Sequence, residues 1–249
     1  MRYLIALFLL LAMPAKAEEI VLGLSQDEVA ITATFEGSDI LVFGAVKRDA
    51  PAASESELGV IVTVAGPDRP VTVRRKDRRL GIWVNTDVVE VDAAPSFYAV
   101  ATSAPMRDIL RDAEDLRHRI STPRVIRNVG ARIEGSINFT EALMRIRSEQ
   151  DLYQVLENGV NVDQETLFRT TIALPANLTE GDYAARIFLT RDGTVVDEYV
   201  TTIPVKKVGL ERWLYNLAHQ QSLLYGLMSL AIAIAAGWGA SAAFSLLRR

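Results

Sequence analysis

The sequence predicts a mainly β protein, a β-sandwich with helical elements that is followed by one C-terminal transmembrane helix. Three observations support this fold class. Short runs rich in β-branched and aromatic residues are separated by turn residues about every ten positions, as in a β-sandwich. Residues 178–183 (LTEGDY) match a tyrosine corner, which is typical of immunoglobulin-like sandwiches. Residues 225–247 carry no formal charge, which is typical of a membrane span.

Residues 1–17 are a predicted secretory signal peptide. Arg2 supplies a positive start, residues 3–13 are an apolar run, and residues 15–17 (AKA) form a small-x-small cleavage site. Cleavage there would leave Glu18 as the first residue of the mature chain. We therefore expect the following domain to be exported and the two C-terminal arginines to stay inside.

The strands of the sandwich are expected in two blocks, residues 18–104 and 159–207. Polar residues 49–57 are predicted to be a loop within the first block. Residues 105–158, between the blocks, are expected to form helices that pack on the sheets. One large sandwich and two small ones are both compatible with this pattern. Individual strands are expected at residues 20–25, 29–35, 40–46, 58–64, 71–75, 80–85, 88–91, 97–102, 167–174, 183–190 and 194–204.

Two helices are predicted between the β blocks. Residues 105–120 place apolar side chains on a broken helical stripe after Pro105, a residue that suits the first turn of a helix. Gly159 marks the predicted end of the second helix. That helix is expected at about residues 140–157, from the near-helical spacing of Leu143, Ile146, Tyr153 and Leu156.

The end of the domain is predicted to be a β-hairpin across residues 191–193 (RDG). The Asp-Gly pair favours a tight turn with positive φ angles. Residues 208–224 then form an amphipathic juxtamembrane segment, in which Trp213 and Tyr215 suit the boundary between water and lipid.

Residues 225–247 are predicted to cross the membrane. As a helix they would span roughly 34 Å, enough for a hydrocarbon core of about 30 Å. A long buried helix of a soluble protein is the alternative. Small residues give this helix a surface that a partner helix, including one from a second copy of the chain, could approach closely. The residues expected in such packing are Ala233, Gly237, Ala240, Gly239 and Ala243.

Few residues could carry catalysis or bind a metal. The chain has no cysteine, which excludes disulfides, thiolate ligands and a cysteine nucleophile. Glu114 and His118 lie one helical turn apart, but the other histidine, His219, is in the juxtamembrane segment, so we interpret Glu114 and His118 as surface residues. No glycine-rich phosphate loop precedes a helix. We therefore expect neither enzyme activity nor a cofactor or metal.

A cluster of positive charge lies at residues 74–79 (RRKDRR). In an extended strand Arg74, Lys76 and Arg78 point one way and the residues between them point the other. Neither face can then be buried, so the run is predicted to be an exposed hairpin or edge. Its charges either prevent association of sheet edges, or contact an anionic ligand, acidic head groups or a partner through Arg74, Lys76 and Arg78. Export of the domain argues against nucleic acid.

Several short motifs occur together along the chain: FEG at 35–37 with ILVFGA at 40–45, GPD at 66–68 with VRRK at 73–76, GIWVN at 81–85, FYAV at 97–100, LPAN at 174–177, RDG at 191–193, and KVG at 207–209 with HQ at 219–220. Together they resemble a transmembrane protein family of alphaproteobacteria, over nearly the whole chain. The resemblance implies a Gram-negative inner-membrane protein with a periplasmic domain. It also implies a gene that lies near one for a sulfite-exporter-like permease, which suggests such a permease as a partner.

The function predicted from these observations is that of a non-enzymatic accessory or binding module. It would be anchored in the inner membrane beside another inner-membrane protein, such as a transporter. Membrane lipid and a second copy of the chain are the other expected partners. A periplasmic enzyme that uses carboxylates and arginines is a second hypothesis, and self-association through the span is a third.

Overall fold

The computed structural model describes residues 18–26, 28–32, 35–48, 57–127, 136–208 and 210–247. The predicted signal peptide, most of the predicted loop at 49–57 and the last two arginines lie outside these residues. The described part is mainly β, with helices between two groups of strands and at the C-terminal end. The predicted fold class is therefore confirmed.

The strands of the described chain form two main sheets and a separate hairpin. The first sheet has the order β1-β3-β10-β9, the second has the order β2-β12-β11-β4-β7-β8, and β5 pairs with β6 alone. In chain order the strands are β1 (Glu18–Leu24), β2 (Val29–Ile31), β3 (Gly37–Arg48), β4 (Gly59–Ala65), β5 (Asp68–Arg79), β6 (Ile82–Pro95), β7 (Tyr98–Thr102), β8 (Tyr153–Leu156), β9 (Asn161–Asp163), β10 (Leu167–Pro175), β11 (Gly181–Arg191) and β12 (Thr194–Lys207).

The two main sheets pack against each other as a sandwich. β10 alternates strictly, with Phe168, Thr170, Ile172 and Leu174 buried between exposed neighbours, so one of its faces belongs to the core. β10 contacts β7 in the other sheet, and every residue of β7 is buried. β4 is buried along nearly its whole length, as expected for a strand covered on both faces.

β7 and β8 pair in parallel, with Tyr98 opposite Tyr153. A parallel pair requires a crossover connection, and the described residues of this connection contain four helices. They are α1 (Met106–Ile109), α2 (Asp112–His118), α3 (Thr122–Val125) and α4 (Ser136–Glu149). The immunoglobulin-like arrangement of strands stays a prediction.

The predicted helix boundaries need correction. The single helix expected at residues 105–120 is broken into α1 and α2, because Leu110 is extended. The second helix ends at Glu149 rather than near residue 157, and Asp151 follows in the left-handed conformation with a φ of 58°. Tyr153 and Leu156 have helical spacing to the preceding apolar residues, but their segment pairs with β7 as the strand β8.

Ile120 fixes the helical segment to the second sheet. Its side chain is fully buried, its N–H donates to Oδ1 of Asp115 at 3.1 Å, and its carbonyl accepts a hydrogen bond from the hydroxyl of Tyr98. Asp115 also accepts hydrogen bonds from the N–H of Ser121 at 2.7 Å and from its hydroxyl at 2.6 Å. Both backbone polar groups of Ile120 are thereby satisfied in a buried position, as burial requires.

The hairpin predicted across residues 191–193 is confirmed. β11 and β12 pair in antiparallel fashion, and Asp192 and Gly193 have φ values of 51° and 74°. The predicted hydrogen bond of the tyrosine corner is also present, because the hydroxyl of Tyr183 donates to the carbonyl of Thr179 at 2.9 Å.

Three buried tyrosines donate hydrogen bonds to backbone carbonyls. Besides Tyr98 and Tyr183, Tyr153 donates to the carbonyl of Pro95 at 2.8 Å. Burial raises the pKa of Tyr153 to about 12 and also raises the pKa values of Tyr98 and Tyr183. All three phenols therefore stay protonated, and remain donors, well above neutral pH.

These tyrosines predict a loss of stability in alkali. The pKa of a tyrosine in the unfolded chain is about 10. Since the folded value of Tyr153 is raised to about 12, its contribution is complete below pH 10 and is lost as the pH rises toward 12. Each pKa unit corresponds to about 1.4 kcal/mol. Urea unfolding at a series of pH values should show this decline, and Tyr153→Phe should make it shallower. An equal decline in Tyr153→Phe would contradict the assignment to this phenol.

A buried ion pair joins the first strand to the second sheet. Arg191, at the end of β11, places Nη2 2.8 Å from Oε1 of Glu18 in β1, and its Nε lies 3.2 Å from both carboxylate oxygens of Glu18. Only 7% of Arg191 and 6% of Glu18 are exposed. Glu165 adds a second carboxylate at 3.3 Å. The hydrogen bond to Glu18 raises the pKa of Arg191 above its ordinary value.

The C-terminal residues form two further helices, α5 (Leu210–Gln220) and α6 (Ser222–Leu247). They belong to a second compact unit of the chain, which also contains residues 30–35. Within the described chain, residues 222–241 of α6 are the one segment long and apolar enough to cross a membrane. No residue of this segment is buried, unlike those of a core helix of a soluble protein. The predicted span is therefore found, with the helix beginning three residues earlier than expected.

Candidate interaction site at the basic hairpin

The basic hairpin, formed by β5 and β6, has a buried base and an exposed outer half. Val73, Val89 and Val91 are buried at the base, where α4 contacts both strands. Beyond Arg74 every residue of β5 is exposed. The sequence places Leu80 in a strand and expects two strands at 80–85 and 88–91. In the structure β6 is continuous and Leu80 lies in the turn.

Arg75 holds the hairpin in place. Its Nη2 and Nε atoms lie 2.5 and 2.9 Å from Oδ2 of Asp87 on the opposite strand, and its guanidinium lies over the ring of Phe139 in α4 at 5.6 Å. The hydrogen bond from Arg75 keeps the pKa of Asp87 below its ordinary value, with a smaller contribution from Thr86. The register shifts by one residue between Arg75 and Lys76. Arg75 is thus a structural residue, unlike its neighbours.

The predicted contact residues Arg74, Lys76 and Arg78 lie on β5 and are all exposed. The side chain of Arg78 makes one long hydrogen bond to the carbonyl of Gly81, at 3.4 Å. Within the described residues, the side chains of Arg74 and Lys76 make neither a hydrogen bond nor an ion pair. The prediction that neither face of this run is buried is confirmed. Its role in contacting a ligand or partner stays a prediction.

The apolar tip of the hairpin is a feature that the sequence interpretation missed. Leu80 is fully exposed, and 64% of Ile82 and 68% of Trp83 are exposed. These residues follow directly after the cationic run. An apolar sequence without a turn dipeptide such as Asn-Gly is normally assigned to a strand, which is why the tip was not recognised.

An open cavity of about 490 Å³ lies along the outer hairpin. Lys76 and Arg79 supply cationic groups there, whereas Arg75 is engaged with Asp87. Arg79 lies 4.0 Å from Asp77, at the limit of an ion pair between exposed groups. Such a surface can attract an anion, but it is too open to enclose a small molecule, so we interpret it as a contact surface.

His118 is more buried than the sequence suggests, which corrects its interpretation as a simple surface residue. Its Nδ1 lies 3.2 Å from Glu198 and its Nε2 lies 3.6 Å from Glu114. Glu198 also pairs with Arg186 at 3.0 Å, and Glu114 accepts the N–H of Val195 at 3.2 Å. These contacts tie α2 to the β11–β12 hairpin. No group of three potential metal ligands is found in the part of the chain that the structure describes.

The residues predicted to pack in the span all lie within α6. Ala233, Gly237, Gly239 and Ala240 are exposed. Apart from chain neighbours and the backbone of the same helix, no atom lies within 4 Å of the point where a Cβ of either glycine would stand. The side chain of Ala243 is not among the side chains that the structure describes. Their role in helix packing stays a prediction.

Comparison with known proteins identifies one family. A family model described as "Putative transmembrane protein (Alph_Pro_TM)" matches residues 19–246. The match covers the sandwich, the basic hairpin and the C-terminal helix. No curated protein matches the chain.

Proposed function

Because the chain belongs to the Alph_Pro_TM family of transmembrane proteins, we propose that it is an anchored accessory or binding module of the bacterial inner membrane. A cleaved signal peptide carries the domain at residues 18–207 into the periplasm, and the C-terminus remains in the cytoplasm. The module acts beside another inner-membrane protein, and a sulfite-exporter-like permease is the transporter that we put first. It acts by binding rather than by catalysis.

The observation that carries this proposal is the row of cations on the basic hairpin. Arg74, Lys76 and Arg78 are exposed on one strand, and the first two have side chains that no described residue engages. Such a row attracts an acidic surface and orients it along the strand.

The firm base of the hairpin supports a binding role. Arg75 is hydrogen-bonded to Asp87, and its guanidinium lies over the ring of Phe139. Val73 and Val89 are buried nearer the base of the hairpin. A surface that is ordered before it binds loses less conformational entropy on association. The cations therefore need only order their own side chains when a partner arrives.

Self-association is a second candidate, favoured by the small exposed residues of α6. Without a side chain at Gly237 and Gly239, the backbone of a second helix can approach closely in lipid. A homodimer formed in this way is compatible with a heterologous partner at the hairpin.

Capture from mild detergent tests the role of the cations. Replacing Arg74, Lys76 and Arg78 together with Gln should weaken capture of the partner membrane protein by up to about fivefold per residue. Capture by the native chain should itself weaken as salt rises, because exposed charges are screened within about 8 Å at physiological ionic strength. The fold should persist, since exposed substitutions alter stability by only about 0.5 kcal/mol or less.

A matched control carries the same change of charge elsewhere. Lys47, Arg107 and Arg117 are also exposed, so their replacement with Gln should leave capture unchanged. An equal loss of capture in both triple variants would show that the effect comes from net charge alone. Unchanged capture together with more aggregation of the hairpin variant would identify these three cations as protection against edge association instead. A homodimer without another protein would favour the second candidate.

A further inference from the structure

Two tight turns in this chain share a backbone conformation but differ in their side chains. Asp192 and Gly193 have φ values of 51° and 74°, and Leu80 and Gly81 have φ values of 51° and 86°. A turn with two positive φ angles favours Asn or Asp before Gly, and a left-handed Leu is strongly disfavoured. Leu80 therefore occupies its position against the local preference of the backbone.

No packing compensates for this unfavourable conformation. Leu80 is fully exposed, and nothing lies within 4 Å of a Cβ built on Gly81. The other turn is packed, because a Cβ on Gly193 would meet the side chain of Arg111 at 2.7 Å. A strained residue that the fold does not require is evidence for a functional role of its side chain.

The apolar side chains surround the tip on both faces. Trp83 stands opposite Arg78 on one face of the basic hairpin, and Ile82 stands opposite Arg79 on the other. With Leu80 at the end, the tip is a convex apolar knob. A protein would need a deep pocket to enclose it on all sides, whereas lipid chains surround a knob without a shaped cavity.

The cations lie at a suitable distance behind the tip. At about 3.3 Å per residue, Arg79 lies about 3 Å and Lys76 about 13 Å along the strand from Leu80. Interfacial elements bury their apolar residues about 5–10 Å into the boundary between head groups and acyl chains. Inserted to that depth, the tip would bring Lys76, Arg78 and Arg79 to the level of the phosphates.

The charge of the outer hairpin indicates which kind of lipid surface it would contact. Residues 74–87 contain five cationic side chains and two carboxylates, a net charge of +3. Anionic lipid attracts such a segment, and Trp beside Lys or Arg is the usual composition at a membrane interface. The span confines the chain to a bilayer, which raises the effective concentration of lipid around it. Protection of a sheet edge would explain the cations, but it would not explain Leu80.

We propose that the tip, residues 80–83, inserts into a bilayer surface that contains anionic phospholipid, with Lys76, Arg78 and Arg79 on the phosphates. This inference rests on the membrane location in the proposed function and is independent of any partner protein. The hairpin thus gives the chain a second, reversible attachment to lipid in addition to its span.

A single fluorescent label tests insertion in the full-length protein. Because the chain has no cysteine, Leu80→Cys creates a unique attachment site, and Asp192→Cys creates the matched control in a turn of the same conformation. Each labelled protein is placed in nanodiscs of phosphatidylcholine alone or with phosphatidylglycerol. With phosphatidylglycerol, the label at position 80 should be quenched by spin-labelled lipid and shielded from iodide. The label at position 192 should remain open to iodide.

Trp83 supplies a second measurement with the native tip. In a background with Trp213→Phe and Trp238→Phe, brominated phospholipid should quench Trp83. Leu80→Asn suits the turn better and keeps the fold, yet it should reduce this quenching. Replacing Arg78 and Arg79 with Gln should lower the insertion equilibrium about fivefold for each charge removed. High salt should act in the same direction.

Two results would overturn the inference. One is a label at position 80 that stays as open to iodide as the label at position 192 in nanodiscs with phosphatidylglycerol. The other is shielding that develops only after a captured membrane protein is added, which would assign the tip to a protein contact. Neither result affects the capture experiment in detergent, so failure of lipid insertion and failure of the proposed function can be told apart.

Discussion

Replacing Arg191 with Met is expected to lower the free energy of unfolding by about 3–5 kcal/mol, the usual cost of removing one partner of a buried ion pair. Met fills part of the space, but it leaves the Glu18 carboxylate buried without the three close contacts from the guanidinium. Urea unfolding of the detergent-solubilised full chain, followed by the loss of the β-sheet signal in circular dichroism, measures the change.

The double variant Glu18→Leu with Arg191→Met separates the charge from the packing. A buried ion pair replaced by apolar residues of similar volume is often as stable as the original. The double variant should therefore recover most of the stability that the single variant loses. A loss of less than about 1 kcal/mol in Arg191→Met would show that water reaches the Glu18 carboxylate, and that the pair behaves as an exposed one.

Asp115→Ala is expected to cost about 2–6 kcal/mol, because it removes the acceptor for two backbone N–H groups at about 1–3 kcal/mol each. These groups belong to Ile120, which is fully buried, and to Ser121. Ile120 is also the point at which Tyr98 holds the helical segment to β7. We expect α2 and α3 to loosen from the sheet, and hydrogen exchange of their amides should increase more than that of β4.

Asp115→Asn is the matched control for this prediction. Its side-chain carbonyl can still accept hydrogen bonds from both N–H groups through one oxygen, as Oδ1 of Asp115 does. It loses only the negative charge and the second acceptor, which the hydroxyl of Ser121 uses. Asn should therefore retain at least half of the stability that Ala loses. Equal losses in the two variants would contradict a role in accepting these backbone hydrogen bonds.

The parts of the fold that depend on neighbouring residues could be predicted from the sequence. Asp192 and Gly193 were recognised as a tight turn because their preference for positive φ is local. Tyr183 was placed in a tyrosine corner for the same reason, since its acceptor lies four residues upstream. The span was recognisable because length and the absence of charge decide insertion into lipid.

The parts that depend on distant residues could not be predicted. Arg191 was recognised only as a turn residue, whereas its buried partner Glu18 lies 173 positions away. His118 was assigned to an exposed helix because Glu198, its contact on β12, is distant in sequence. Tyr153 followed a helical pattern, and only the presence of β7 beside it explains why it is in a strand.

The candidate site was recognised in part. The alternation of side chains along a strand was enough to predict that Arg74, Lys76 and Arg78 are exposed, because neither face of a strand with charges on both faces can be buried. The tip was missed because Leu80 lies where the local backbone preference opposes it. A residue of this kind cannot be identified as a turn residue by preference, and its exposure becomes evident only from the structure.

The order of strands in the first sheet has a consequence for the timing of folding. β3 pairs with β1 and with β10, so the sheet joins the first thirty residues of the domain to a strand that begins at Leu167. β1 and β3 alone make an antiparallel pair, and an isolated pair of this kind is at best marginally stable in water. In the proposed export with the N-terminus first, the chain must therefore remain without this sheet until β10 has emerged. Pairings over such separations fold slowly, in milliseconds to seconds, so the early strands depend on protection from other chains during that interval.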